Sequence, residues 1–260
     1  MPEPAGSAGT TRVPKLATAN REPGDQTIRP VVQVLNAVLE PLTRRDWRGQ
    51  ENLPTTGGVI VVANHISNVD PLVLGQFLAY SGRWPRFLGK QSVFGVPAVG
   101  QVLRRSGQIP VERGTGRAGD ALVAAAAALA DGRAVVVYPE GTITRDPDLW
   151  PMRGRTGAAR LALASGSPVV PVGQWGAEQI MYGPKVGVPH LLRRPTLRLT
   201  AGPPVDLDDL RAGPVTAATL AEATERIMAA ITALVAELRG GTPPAVRFDP
   251  RRASPAEGST

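Results

Sequence analysis

The 260-residue sequence contains no cysteine, only two histidines and few aromatic residues, which make up 4% of the chain. The absence of cysteine excludes disulfides, thiolate nucleophiles and cysteine-ligated metals. Because His65 and His190 lie far apart in the sequence, a histidine-rich metal site is not expected. Catalysis by a thiol is therefore excluded, and catalysis by a metal bound to several histidines is not expected.

Long apolar runs are also missing. The longest uninterrupted run of small apolar residues, 121–130, is mostly alanine and is about half the length of a membrane-spanning helix, which needs ~20 residues. Residues 1–9 lack the basic start and the apolar run of a signal peptide, so none is expected. With 42% apolar residues the chain can nevertheless bury a sizeable core.

Positive charge is in excess. The formal net charge is +7, and of the 29 basic residues only Lys15, Lys90 and Lys185 are lysines. Arginine binds phosphate in a bidentate manner, although genome composition alone also produces arginine-rich sequences. The overall charge favours anionic partners, such as phospholipid head groups, phosphorylated substrates or nucleic acid.

The composition changes at both ends of the chain. Residues 1–27 and 240–260 are rich in proline, glycine and small polar residues and have no apolar period. This pattern predicts a disordered N-terminal arm and a disordered C-terminal tail around one domain spanning residues 28–239.

Apolar residues at helical spacing follow Pro30 and predict an amphipathic helix near residues 31–42. Such a helix could pack on the core or lie on a membrane, and the sequence leaves both interpretations open. Residues beside it that favour membrane contact are Trp47, Arg44, Arg45 and Arg48.

The middle of the chain alternates β-branched runs with helical patterns, which predicts an α/β fold with a mostly parallel or mixed sheet flanked by helices. Strands are predicted near residues 58–63, 86–89, 108–111, 134–138, 168–172 and 196–200. Further helices are predicted near residues 71–80, 96–105, 117–131, 156–165 and 216–239.

The first predicted strand leads into Asn64, His65 and, five residues after the histidine, Asp70 and Pro71. Aspartate followed by proline is typical of a helix start, so His65 is expected at the carboxyl end of a strand, where α/β folds place active sites. A carboxylate hydrogen-bonded to one imidazole nitrogen lets the other accept a proton. Alternatively, Asp70 is a helix cap and His65 is incidental.

Three further blocks lie in or directly after predicted strands. The first reads G-Q-I-P-V-E-R and ends at Arg113, the second reads Y-P-E-G-T over residues 138–142, and the third is the run V-V-P-V from residue 169. With N-H-x-x-x-x-D before them, the blocks resemble those of glycerolipid acyltransferases of the 1-acylglycerol-3-phosphate (lysophosphatidic acid) type. The resemblance covers residues 58–175.

This resemblance implies a single glycerolphosphate acyltransferase-like domain. It would transfer a fatty acyl group from an acyl-coenzyme A or acyl carrier protein thioester to a free hydroxyl of glycerol-3-phosphate or lysophosphatidic acid. His65 would be the catalytic base and Asp70 would orient it, with no cofactor, metal or covalent acyl-enzyme. The residues implied in substrate binding are Lys90, Arg113, Glu140, Gly141 and Thr142.

One position departs from the family pattern. After P-E-G-T the family usually has an arginine, whereas this sequence has Ile143. The nearest arginines are Arg145, Arg153 and Arg155, and any of them could compensate.

The resemblance and the charge together predict peripheral or monotopic binding to an anionic membrane, at the cytoplasmic face of the cell membrane. Another lysophospholipid or a glycolipid is an alternative acceptor. Neither acyl carrier protein nor acyl-coenzyme A is favoured as donor, because both present the same thioester.

Two unrelated functions compete with this interpretation. Gly114, Gly116 and Gly119 form a G-x-G-x-x-G pattern that, with Glu140 further on, would suit a nucleotide-dependent enzyme. The charged residues before it disfavour that fingerprint, because an apolar strand end should lead into the first glycine. A basic nucleic-acid-binding protein is disfavoured by the scarcity of aromatic residues.

Overall fold

A computed structural model of the chain describes residues 16–20, 22, 27–112, 118–182 and 194–250. The helices are α1 (Leu16–Ala19), α2 (Ile28–Leu42), α3 (Asp70–Tyr80), α4 (Gln91–Phe94), α5 (Val99–Arg105), α6 (Ala118–Ala130), α7 (Gly157–Ser165), α8 (Asp208–Arg211) and α9 (Ala217–Arg239). The strands are β1 (Arg44–Arg48), β2 (Val59–Ala63), β3 (Pro85–Lys90), β4 (Ile109–Val111), β5 (Ala134–Val137), β6 (Val169–Trp175) and β7 (Thr196–Ala201).

The described strands form one sheet in the order β1-β7-β6-β2-β5-β3-β4. Strands β2 to β6 are mutually parallel, whereas β7 pairs antiparallel with β6, and β1 runs parallel with β7. The predicted α/β fold with a mixed sheet is therefore confirmed. Because five strands share one direction, the ends of β2, β3, β4, β5 and β6 meet at a single carboxyl edge.

Both faces of the central strands β2 and β5 are buried, which explains their continuous β-branched runs. All five residues of β2 and all four of β5 are buried, and Val62 pairs with Val137 on one side and Pro171 on the other. One face packs against α6, α7 and α9, and the opposite face packs mainly against α3. The carboxyl edge of the sheet lies between these two layers of helices.

Strand β1 is not among the predicted strands. Its sequence, R-R-D-W-R, lacks apolar alternation, but as an edge strand it needs only the parallel pairing with β7. Trp47 packs edge-on against Phe77, with ring centroids 5.7 Å apart, and the Arg45 guanidinium lies 4.8 Å from the Trp47 ring centroid. Trp47 and Arg45 therefore belong to the packing between β1 and α3, although the sequence pattern suggested that they help α2 to lie on a membrane.

Helix α2 packs on the body of the protein, as one of its two predicted interpretations requires. Its buried residues are Ile28, Val32 and Leu39. The exposed apolar residues of the same helix are Val31, Val34 and Val38. Membrane contact by this second face stays a prediction.

Some described residues outside the predicted limits of 28 and 239 contact the rest of the protein. At the N-terminal side, Leu16 is buried near Trp84, and the Glu22 carboxylate accepts the Trp84 backbone N–H at 2.6 Å. At the C-terminal side, the backbone N–H of Arg153 donates to the Phe248 carbonyl at 2.9 Å. Such pairings join residues distant in sequence, and composition does not reveal them. Residues 1–15, 21, 23–26 and 251–260 of the two predicted disordered segments lie outside the described residues.

Within the part of the chain that the structure describes, no helix is both long and apolar enough to cross a bilayer.

Candidate active site

His65 lies two residues beyond the end of β2, at the carboxyl edge of the sheet. Its Nδ1 is 2.8 Å from Asp70 Oδ2, and the same oxygen accepts the backbone N–H groups of Ile66 at 2.6 Å and Ser67 at 2.8 Å. Asp70 makes no helix-capping hydrogen bond, since its partners precede the helix. The structure thus favours the paired histidine and aspartate over the helix-cap alternative.

Asp70 is completely buried. Burial raises the pKa of its carboxyl group, and the hydrogen bonds from His65 and the two backbone N–H groups oppose that rise. The pairing fixes the Nδ1 nitrogen of His65 as the one that faces the carboxylate. Because the His65 side chain retains 15% exposure, Nε2 is the ring nitrogen left for a ligand.

An aromatic ring covers one face of the histidine. The rings of His65 and Tyr138 are stacked at 4.2 Å with an interplanar angle of 18°, and Phe87 stacks beyond Tyr138 at 6.4 Å. Burial raises the pKa of the Tyr138 hydroxyl well above its ordinary value, so the phenol stays neutral. The stack restricts the imidazole to one plane and supplies an apolar surface beside it.

Glu140 holds the backbone at the histidine through hydrogen bonds. Its Oε1 accepts the His65 backbone N–H at 2.9 Å, and its Oε2 accepts the Met152 N–H at 2.9 Å. Burial raises the pKa of Glu140 to about 8, against the effect of these two donors. Both carboxylate oxygens are therefore committed to backbone groups. This disfavours the ribose contact that the nucleotide-dependent alternative requires.

Gly141 forms the turn that follows. Its φ is +73°, and a β-carbon there would lie 3.0 Å from the Arg155 side chain. Glycine adopts this left-handed conformation without strain. The turn lets the backbone N–H of Arg155 reach the Pro139 carbonyl at 2.8 Å.

A cleft of about 140 Å³ opens beside this turn. It is lined by Glu140, Thr142, Arg145, Arg153, Arg155, Asp249 and Pro250. The three arginines that could compensate for Ile143 are therefore brought together by the fold. Arg153 also pairs with the Asp249 carboxylate at 3.2 Å. Two of the predicted acceptor-site residues, Glu140 and Thr142, lie in the same cleft.

Lys90 is exposed at the carboxyl end of β3. In the sheet order β2-β5-β3, one strand separates it from the His65 strand, which corresponds to about 10 Å between strand axes. Lys90 and His65 therefore lie at the same edge of the sheet, on strands two positions apart. Arg113, which the resemblance implies in substrate binding, lies outside the described residues, as do His190 and the glycines at 114 and 116.

Asn64 and Gln174, to which the sequence pattern assigns no role, join the ends of β2 and β6. The Asn64 amide donates to the Gln174 carbonyl at 3.0 Å and accepts the Gln174 backbone N–H at 2.9 Å. The Gln174 side chain donates to the Asn64 carbonyl at 2.6 Å. The signal available in the sequence was the position of each polar residue at the end of an apolar strand.

No group of three potential metal-ligating side chains is found among residues 27–112, 118–182 and 194–250 or the short described stretches before them.

The sequence of this chain is similar to those of known acyltransferases. The chain is 32% identical over 145 residues to the chloroplastic 1-acyl-sn-glycerol-3-phosphate acyltransferase BAT2 of Brassica napus, covering 55% of this chain and 40% of that one. It is 35% identical over 126 residues to 1-acyl-sn-glycerol-3-phosphate acyltransferase of Borreliella burgdorferi, covering 48% of each. This chain thus spans less than half the length of these curated relatives.

The crystal structure of the acyltransferase PlsC from Thermotoga maritima matches the fold with a TM-score of 0.62 and 22% identity, over 84% of this chain and 81% of that one. The family model described as Acyltransferase matches residues 44–175. That range contains His65, Asp70, Glu140 and the three arginines of the cleft. The chain belongs to the Acyltransferase family.

Proposed function

We propose that this chain transfers a fatty acyl group from a thioester to a free hydroxyl of a glycerophosphate or lysophosphatidic acid acceptor. The observation that carries the proposal is the 2.8 Å pair between His65 Nδ1 and the buried Asp70 carboxylate. This pair leaves Nε2 available at the sheet edge. The printed names of the relatives support the choice of acceptor.

In the proposed reaction, His65 Nε2 takes the proton of the acceptor hydroxyl while the oxygen attacks the thioester carbonyl carbon. Asp70 stabilises the imidazolium that forms. When the tetrahedral intermediate collapses, the carbon–sulfur bond breaks and the thiolate receives the proton from His65 Nε2. The products are an ester and a free thiol, so no group on the protein is consumed.

The acceptor phosphate is proposed to bind in the arginine-lined cleft, with Lys90 and Arg113 as further candidates. Arg145, Arg153 and Arg155 provide several guanidinium donors beside Glu140, which itself holds the His65 backbone. Gly141 and Thr142 shape the turn at that cleft. A lysophospholipid other than lysophosphatidic acid, or a glycolipid, remains an alternative acceptor.

The donor in this proposal is acyl-coenzyme A or acyl-acyl carrier protein, and no cofactor or metal takes part. A lipid acceptor implies work at a membrane surface. We therefore propose peripheral or monotopic binding at the cytoplasmic face of the cell membrane, supported by the net charge of +7 and the exposed valines of α2.

The test measures the release of free thiol from palmitoyl-coenzyme A, with and without glycerol-3-phosphate or lysophosphatidic acid. The wild-type protein should show acceptor-dependent release that His65→Ala abolishes. His190→Ala, which removes the other histidine of the chain, is the matched control and should retain activity. If folded wild-type protein releases no thiol with any acceptor, from either palmitoyl-coenzyme A or palmitoyl-acyl carrier protein, the proposed function is wrong.

A further inference from the structure

The segment that follows β3, residues 91–105, carries an exposed row of valines. Val93, Val96, Val99 and Val102 recur at every third position and are 42%, 47%, 46% and 39% exposed. We call these four residues the valine surface. Valine is a poor helix former, and an exposed position offers it no burial in return. The row therefore calls for an explanation other than the stability of α4 and α5.

Packing beneath the segment keeps the valines outward. Phe94 is buried, and a β-carbon at Gly100 would lie only 1.9 Å from the Phe94 carbonyl oxygen, so the backbone closes tightly there. The Arg104 guanidinium donates to the same carbonyl at 2.7 Å. Ala98, which precedes α5, has a φ of +60°, a conformation that is strained for a non-glycine residue. The fold thus holds the exposed valines in a defined arrangement.

Every charged residue in the segment that carries the valine surface is basic. Between Asp70 and Glu112 the sequence contains no acidic residue. Three exposed basic residues flank the valines, with Lys90 before them and Arg104 and Arg105 after them. Such a combination of aliphatic and basic side chains attracts a surface that is both apolar and anionic.

The valine surface leaves the sheet at the edge that carries His65. Strand β3 ends at Lys90, and Phe87 in the same strand belongs to the ring stack that reaches His65 through Tyr138. Leu72, two residues after Asp70, adds a further exposed apolar side chain in the first turn of α3. The valine surface and the reacting groups therefore lie on the same side of the protein.

We propose that the valine surface, together with Lys90, Arg104 and Arg105, docks on an anionic lipid bilayer. Four half-exposed valines offer far less area than the ~800 Å² per partner of a stable protein interface, and the aromatic residues typical of such interfaces are missing from this surface. Reversible membrane binding instead requires modest apolar burial combined with basic charge. The inference deepens the proposed function, since it names the surface from which a lipid acceptor enters.

The experiment measures sedimentation of the full chain with vesicles of phosphatidylcholine alone and of phosphatidylcholine and phosphatidylglycerol in equal parts. The double variant Val96→Asn with Val99→Asn should bind the anionic vesicles about tenfold more weakly than wild type. The matched control, Val123→Asn with Val215→Asn, changes two valines that are also exposed, at 72% and 51%, and should bind as wild type.

A charge variant gives a second, independent test. Arg105→Gln should weaken binding to the anionic vesicles about fivefold at low salt and have little effect at high salt, whereas Arg160→Gln on α7 should have little effect throughout. Melting temperatures establish that each variant is folded.

These binding measurements do not depend on catalysis, so they separate this proposal from the proposed function. Absence of wild-type binding to the anionic vesicles, or unchanged binding by the folded valine and Arg105 variants, overturns the proposal. So does a valine variant that alters self-association or the use of palmitoyl-acyl carrier protein while leaving vesicle binding intact, because the surface would then serve a protein partner.

Discussion

At the residue scale, the site depends on one oxygen of Asp70. Oδ2 accepts three hydrogen bonds, from the His65 ring and from the backbone of Ile66 and Ser67. The same atom therefore positions the imidazole and shapes the turn that carries it. A change that preserves the oxygen but removes its charge separates these two effects.

Asp70→Asn makes that change, because the amide oxygen of asparagine can occupy the Oδ2 position. We expect kcat to fall between about a hundredfold and ten thousandfold, since the imidazolium loses its carboxylate, with a much smaller change in the acceptor KM. Steady-state kinetics and a thermal melt of the variant provide the measurement. A loss confined to KM would show that Asp70 acts on acceptor binding instead.

Glu140 gives a pH-dependent prediction. Burial raises its pKa from an unfolded value of about 4.5 to about 8, so its contribution to stability is present at low pH and is lost as the pH rises through 8. Glu140→Gln should be less stable than wild type near pH 6, because its NH₂ group faces the backbone N–H of either His65 or Met152.

The difference in unfolding free energy between the variant and the wild type should be smaller near pH 9. By that pH the wild type has lost the stability contributed by protonated Glu140, whereas glutamine does not titrate. Denaturant unfolding of both proteins at the two pH values tests this. A stability difference that grows with pH would contradict the raised pKa.

At the element scale, Arg83 connects the loops at the edge opposite the site. Its guanidinium is fully buried and donates to the carbonyl groups of Pro54, Gly57 and Gly132, at 2.5, 2.7 and 2.7 Å. Burial lowers the pKa of Arg83, and the nearby Glu22 carboxylate opposes that effect. The residue joins the segments before β2 and β5 to the start of β3.

Arg83→Met should destabilise the protein by about 3 kcal/mol or more, because it leaves three carbonyl groups without their donor. Arg160→Met, at an exposed position on α7, is the control and should change stability by less than about 0.5 kcal/mol. Chemical denaturation measures both values. Equal stability of the two variants would mean that water replaces the Arg83 hydrogen bonds at little cost.

At the scale of the whole molecule, α9 lies directly on the sheet. A β-carbon at Gly173 in β6 would be 2.7 Å from the Leu234 β-carbon and 3.0 Å from its backbone carbonyl carbon. The layer that covers one face of the sheet therefore depends on the absence of a side chain in the strand. Because β6 also carries Gln174, which bonds to Asn64 beside His65, displacement of α9 should reach the site.

Gly173→Ala should consequently lower the unfolding free energy by about 1–3 kcal/mol through overpacking. Gly213→Ala is the matched control, since a β-carbon there meets no atom within 4 Å. Thermal or denaturant unfolding compares the two. If Gly173→Ala were as stable as the control, α9 would have to adjust its position without cost.

The sequence by itself determined the alternation of strands and helices, the mixed α/β class and the placement of His65 at a strand end. These follow from local properties, because β-branched runs and helical spacing are decided by neighbours along the chain. The pairing of His65 with Asp70 was also within reach, since only five residues separate them. Strand β1 was not predicted, because it is stabilised by pairing with β7, which lies far away in the sequence.

Only the tertiary structure decided which distant groups meet. It buried Glu140 against two backbone donors, gathered Arg145, Arg153 and Arg155 into one cleft, and stacked Tyr138 on His65. It also placed residues 240–250 against the body of the protein, where the sequence predicted disorder. Each outcome depends on contacts between residues far apart along the chain, whose free energy appears only when packing brings the partners together.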